Sequence, residues 1–240
     1  MLGAALTTIA ATTPQPLYQA TGWKAETNLG VYSLAPDPYQ IVFADTTTRD
    51  QLTPYLKMPA LQVTRQVGVT LTVANQIDTT PIGTCPDRHQ IVVHLAYRPT
   101  GKPGMSIAYP CHAIADGSAW GGHMVIDTEY WTTTSWFSSD AGVNEARRRD
   151  TVTHELGHIL GLAHPNQDLN GDGTVADGEC VHTATGLRPV MCGPNRGNPV
   201  QVSAGTGRTA VSGMEAGRFS TEYDLPGLRQ LLANYTLRQN

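Results

Sequence analysis

A chain of 240 residues with 40% hydrophobic content is long enough to close a sizeable core, as one domain or as one domain in two lobes. Its formal charge of −4 and pI near 6.0 leave no basic patch for nucleic acid. No run approaches the roughly eighteen apolar residues of a membrane span.

Residues 1–30 read as a leader or short pro-segment, poorly ordered and rich in Thr, Pro and Gln. Within it, residues 1–11 are apolar and uncharged, either the remnant of an export signal without its positive n-region or a disordered leader. Residues 39–44 read as a strand, 49–66 as a helix despite Pro54 and Pro59, and 67–74 as an alternating strand. Further strands are expected over 90–96, 105–109 and 124–127. This alternation argues for an α+β fold, a twisted mixed sheet with helices behind it. Arg147-Arg148-Arg149 is the only basic run and reads as a solvated helix face. Residues 193–217 are punctuated by Gly, Pro, Asn, Ser and Thr and read as a loop. Internal repeats are absent.

The most specific signal is His154-Glu155-Leu156-Gly157-His158-Ile159-Leu160-Gly161-Leu162-Ala163-His164, which fits H-E-x-x-H-x-x-G-x-x-H. At about 100° per residue, Leu156, Ile159 and Leu160 cluster around Val152, while His154 and His158 face the opposite way, one turn apart. One face packs and the other presents two imidazoles to one ion. Gly161 permits a left-handed turn that ends the helix, so His164 can return as a third ligand. Three neutral nitrogens leave one open tetrahedral position on zinc, and Glu155 stands beside it as a general base.

With these residues the chain resembles the metzincin zinc peptidases, whose extended motif is followed by a methionine turn. Met191, in Pro189-Val190-Met191-Cys192-Gly193, is the matching methionine. Gly193 stands where some branches carry a tyrosine, so the likeness is to branches without it. Residues 121–131 are similar to the matrixin glycine pair, apolar strand, acidic pair and aromatic sequence, and residues 223–232 to the matrixin closing helix. Where matrixins hold a second, structural zinc by histidines, this chain has Tyr109 and Val125, so the resemblance does not extend to that site. His89, His94, His112 and His123 read as surface or core groups. The resemblance implies a two-lobed catalytic domain over 31–240, with an upper lobe to about residue 161. It also implies a five-stranded sheet, a backing helix, the zinc helix and a C-terminal helix. The substrate backbone would lie along the edge strand at 105–109, and the loop 193–217 would border the pocket after the scissile bond. The cysteine that silences matrixin proenzymes has no counterpart, since no cysteine precedes Cys85.

A second signal follows at once. Residues 168–179 fill the demanding positions of an EF-hand-type calcium loop: Asp168, Asn170 and Asp172 as side-chain donors, Gly173 for the turn, Thr174 through its carbonyl, Ala176 through water, and Glu179 as the bidentate carboxylate. Calcium there would rigidify the segment that carries His164. Cys85, Cys111, Cys180 and Cys192 allow three pairings, none with C-x-x-C spacing. Cys85 with Cys111 and Cys180 with Cys192 are favoured, which places the chain in an oxidising, extracellular compartment; free thiols in a cytosolic protein are the other reading. Asn234-Tyr235-Thr236 formally matches a glycosylation acceptor and decides nothing alone.

The expected function is a secreted, monomeric zinc endopeptidase acting on polypeptides. The competing readings are a metal-stabilised binding protein without turnover and a zinc amidase acting on cell-wall material. Glu155 argues against the first alternative, because a purely structural zinc needs no base.

Overall fold

The computed structural model describes residues 14–194, 201–202, 209–210 and 216–239. The expected signal remnant at 1–11 and much of the expected loop at 193–217 lie outside the described residues.

A hairpin, β1 (Gln19–Ala20) and β2 (Trp23–Ala25), precedes a sheet built from β3 (Ser33–Leu34), β4 (Tyr39–Phe43), β5 (Leu71–Ile77), β6 (Gln90–Ala96), β7 (Ile107–His112) and β8 (Ser118–Asp127). The order is β3-β8-β6-β4-β5 with all these neighbours parallel, and β7 lies antiparallel beside β8. Six strands replace the expected five, because β3 is two residues long and shows no period. The strand expected at 67–74 starts later: α1 (Thr46–Gln66) runs on until Val67 caps it, and β5 begins at Leu71. The helix also starts before residue 49, since Asp45 accepts from Thr48 N at 2.7 Å and caps it. Pro54 and Pro59 lie inside it.

The strand expected at 124–127 extends back to Ser118 through Gly121 and Gly122. Glycine usually weakens a strand, but here a Cβ at Gly122 would stand 2.2 Å from Tyr109 O and one at Gly121 2.2 Å from Gln90 O. The pair lets β6 and β7 close on β8 from either side. Alternation along the strands sends Ile41, Phe43, Ile91, Val93, Met124 and Ile126 into one core with Leu52, Leu56 and Val63 of α1. Helix α3 (Ala141–Ile159) adds Val152, Leu156 and Ile159 to it. His94 and His123 meet at 2.9 Å, and His123 Nε2 donates to Thr84 O at 2.8 Å. His123 is buried and His94 half-buried.

The poor order expected over 1–30 is corrected from residue 17 onward. Strand β2 pairs with β9 (Leu162–Ala163), and Trp23, 5% exposed, packs on Gly227 of α4 (Asp224–Arg238). Asn234 is fully buried, accepts from Leu17 N at 3.1 Å and donates to Leu17 O at 2.7 Å and Tyr32 O at 3.1 Å. The nominal glycosylation acceptor is thus an internal tie. A polar composition concealed this segment because one tryptophan and backbone pairing, not a hydrophobic period, anchor it.

The basic run is also corrected. Arg148 donates to Tyr130 O at 2.8 Å and lies over Trp131, while Arg149 pairs with Glu145 at 2.8 Å and lies over Tyr55. These side chains clamp α3 to α1 and α2 (Glu129–Thr132) instead of facing free solvent. At the end of β8, Glu129 pairs with Arg98 at 2.8 Å, and Asp127 and Glu129 accept from Gly104 N. The acidic pair therefore holds the 98–104 turn that leads into β7. Disulfides join Cys85 to Cys111 and Cys180 to Cys192, compatible with an extracellular protein. No helix among the described residues is long and apolar enough to cross a membrane.

If the N-terminal hairpin is integral, Trp23→Ala should lower unfolding free energy by about 3–5 kcal/mol, the usual cost of emptying a buried tryptophan site. Chemical denaturation with the disulfides intact measures it; a wild-type midpoint would return residues 17–30 to the status of a leader.

Candidate metal centre

Asp140 caps α3 by accepting from Val143 N at 3.0 Å, and the helix carries His154 and His158 on successive turns. It ends at Ile159. Gly161 takes φ of +97°, and its N–H bonds His158 O at 3.0 Å, a left-handed turn open to glycine. The chain then runs through β9 and returns His164. The three Nε2 atoms lie 3.0 Å (His154 to His164), 3.1 Å (His154 to His158) and 3.2 Å (His158 to His164) apart. Among the described residues this is the only group of three or more His, Cys, Asp or Glu whose ligand atoms converge so closely.

The far side of the rings fixes what these contacts are. His154 Nδ1 lies 2.7 Å from Val190 O, and His158 Nδ1 2.7 Å from Leu162 O. A carbonyl only accepts, so both Nδ1 atoms carry the proton and both Nε2 atoms present lone pairs. Lone pairs facing one another at such distances repel unless a cation lies among them. Three nitrogens bound at zinc's usual 2.0–2.1 Å in a tetrahedron stand about 3.3 Å apart, close to the spacing observed. The donor set fits zinc.

Two glycines admit the neighbours that hold the rings. A Cβ at Gly157, between the first two histidines, would come within 2.2 Å of Met191 Sδ, so the helix rests directly on that buried methionine. Asp224 fixes the methionine turn from behind, accepting from Val190 N at 2.9 Å and Ser220 N at 2.7 Å. A Cβ at Gly193 would stand 2.5 Å from His164 Nδ1, so the third ring lies flat against bare backbone. Asn166 grips Gly193 by accepting from its N–H at 2.8 Å and donating to its carbonyl. The Cys180–Cys192 bridge closes the same wall.

Burial holds His154 well below the usual imidazole value, and the other two rings reinforce it. Burial and His158 push His164 down to about 4. His158 differs: burial opposes its charged form, but Glu26, then Glu155, raise it. Burial pushes Glu155, 6% exposed, up to about 7, against a smaller opposing pull from His158. Burial likewise raises Asp224 to about 7, against the backbone donors from Ser220, Val190 and Met191.

The expected calcium residues lie together in one exposed loop, but their carboxylates are not gathered as the histidines are. Asp168 accepts from Gly171 N at 2.7 Å and Gly173 N at 2.8 Å, Asp172 from Thr174 N at 2.9 Å, and Glu179 from Leu169 N at 2.7 Å and Ala176 N at 2.8 Å. Each carboxylate turns onto its own loop's N–H groups. Ala176 offers no side-chain donor. The loop base is closed by Gln167 N to Glu179 O at 3.0 Å, and Gly178 N reaches Gly193 O at 2.9 Å.

Glu26, Asn166, Gly193 and Asp224 escaped the sequence reading as site residues. Only Asp224 had a visible signal, an acid opening the first turn of the closing helix.

No protein-family profile and no curated protein matches the chain. Among solved structures it is similar to one described as "GM1 bound form of the ECX AB5 holotoxin", at 13% identity over 90% of this chain and 87% of that one, with a TM-score of 0.35. That likeness is too slight to carry a fold or functional conclusion.

Gly157→Ala forces a methyl into Met191 and should destabilise the metal-free protein by about 1–3 kcal/mol, as overpacking does. Unfolding with a chelator present reads this separately from metal binding. A neutral result would remove the helix-on-methionine contact from the account.

Proposed function

We propose that the chain is a zinc-dependent endopeptidase of the metzincin type, nearest its matrixin branch, secreted and acting as a monomer on polypeptides. The observation that carries this reading is the convergence of three imidazole Nε2 atoms beside a buried carboxylate. His154, His158 and His164 would hold zinc. When bound, zinc acts as a Lewis acid and lowers the pKa of its water from about 15.7 towards 7.

Glu155 is the only acid in the motif and has no Lys or Arg partner among the described residues. With its pKa near 7 it takes the proton of the attacking water at neutral pH and passes it to the departing amine. Burial strengthens its field at the scissile carbonyl. The outer edge of β7 is unpaired among the described residues and leaves Tyr109 40% exposed, so an extended peptide can add there as a further strand. The domain would divide at about Gly161 into an upper lobe with the sheet and a lower lobe with the methionine turn.

Residues 168–179 would bind calcium as a structural ion through Asp168, Asn170, Asp172, Thr174 and Glu179, an all-oxygen donor set of the kind calcium takes. Calcium would tighten the loop base at Gln167 and Glu179, and through Gly178 and Asn166 the Gly193 floor beneath His164.

Glu155→Gln should keep its zinc while peptide turnover falls about 10²–10⁴-fold, the range for a lost general base. Metal analysis of the variant beside a quenched-peptide or casein assay, with a chelator control, decides it. Retained cleavage by zinc-replete variant rejects Glu155 as the base. A zinc-replete wild type inert on peptides but active on a cell-wall digest favours an amidase, and one inert on both a binding protein. For the second ion, Asp172→Ala at saturating zinc should lose both the calcium-dependent rise in thermal midpoint and part of the activity. Unchanged values of both would separate the loop from the catalytic centre.

A further inference from the structure

Glu26 lies outside the zinc motif, on a segment whose composition resembles a leader. Its backbone N–H bonds the carbonyl of Gly161 at 2.9 Å, the residue at which α3 turns back. Strand β2, immediately before it, sets Lys24 opposite Ala163 and Ala25 opposite Leu162. The N-terminal hairpin is therefore stitched across the link between the second and third histidines.

Its carboxylate reaches further in. With the side chain 16% exposed, Oε2 stands 3.4 Å from His158 Nδ1, the nitrogen that donates to Leu162 O at 2.7 Å. Among the described residues, His158 is the only ion-pair partner of Glu26. The opposite nitrogen of the same ring faces the other two imidazoles at 3.1 and 3.2 Å. A largely buried carboxylate with no Lys or Arg partner gains its compensation only if positive charge arrives through the ring.

We infer that Glu26 is a positioning residue for the metal, acting through His158: its charge stands behind the Nδ1–H that Leu162 O accepts, makes Nε2 a stronger donor, and so couples the N-terminal hairpin to zinc affinity. This rests on the zinc reading above. Carboxylates behind metal-bound histidines act in this way, and their loss weakens metal binding by about 10–100-fold. The backbone carbonyl of Leu162 fixes the tautomer without a full charge; Glu26 supplies the charge.

The test compares wild type, Glu26→Gln, Glu26→Asp and Lys24→Ala, the last altering an exposed neighbour on β2. Each is stripped of metal, its thermal midpoint recorded, its zinc affinity measured by competition with a chromophoric chelator, and its absorption spectrum taken with cobalt(II). Glu26→Gln should bind zinc about 10-fold or more weakly and shift the cobalt bands, while its metal-free midpoint stays near wild type. Glu26→Asp should fall between, and Lys24→Ala should match wild type. Wild-type zinc affinity with an unchanged cobalt spectrum in Glu26→Gln overturns the inference. If that variant does not fold, wild-type affinity in Glu26→Asp overturns it equally. A wild-type protein that takes up no zinc rejects the metal centre itself, a failure distinguishable from that of Glu26 alone.

Discussion

The Nε2 lone pairs of His154 and His158 face one another at 3.1 Å with His164 Nε2 beside them, an unfavourable arrangement that contacts from several parts of the chain maintain. The rings of His154 and His158 cannot relax by exchanging protons, because Val190 O and Leu162 O already occupy their Nδ1–H groups. Burial keeps His154 from escaping the repulsion by becoming charged, and His158 opposes a charge on His164, the exposed ring of the three. A cation would relieve the conflict, and neutral nitrogen donors suit the metal proposed above.

Each histidine is held by its own neighbours, those of His154 and His164 lying within one short stretch from Val190 to Gly193. The turn at Met191 receives the helix at Gly157 and accepts the proton of His154 through Val190. The N-terminal hairpin meets the chain at Gly161 and stands behind His158 with Glu26. Gly193, gripped by Asn166, lies beneath His164. Segments far apart in sequence thus meet at one centre, and the Cys180–Cys192 bridge ties the end of the 168–179 loop to the stretch between Met191 and Gly193. Glu26 pairs with His158 alone of the three rings, which is why metal affinity reports on it more directly than fold stability does.

The parts legible in the sequence are those with a local period or a fixed spacing. Helix α3 and the placing of His154, His158 and Gly161 follow from residues a few positions apart, as do most sheet strands. The two-residue β3 and the Ser118–Gly122 half of β8 were not legible: the first is too short to show alternation, and the second carries glycines that only the closeness of Tyr109 O and Gln90 O explains. Residues 17–30 were misread for a related reason. Their anchors are Trp23 on Gly227, Asn234 on Leu17 and strand pairing with β9, all between distant positions. The loop 168–179 shows the opposite case. Its residue types are plain in the sequence, yet the geometry turns the carboxylates onto their own backbone.

Glu155 bears most directly on the choice between a working centre and a merely structural one. A carboxylate 6% exposed, with its pKa pushed up to about 7 by burial and no Lys or Arg beside it among the described residues, costs stability at neutral pH. Neither of the other acids near the centre is placed in this way: Asp224 accepts backbone N–H groups at the methionine turn, and Glu26 pairs with a histidine. A metal that only braced the fold would be served equally well by glutamine or leucine at this position. A proton acceptor whose pKa sits near neutrality, next to three imidazoles that gather at a single point, is useful when a proton must be taken up and returned within one turnover. On that physical ground the proposed hydrolytic centre gives Glu155 a use that a binding scaffold would not.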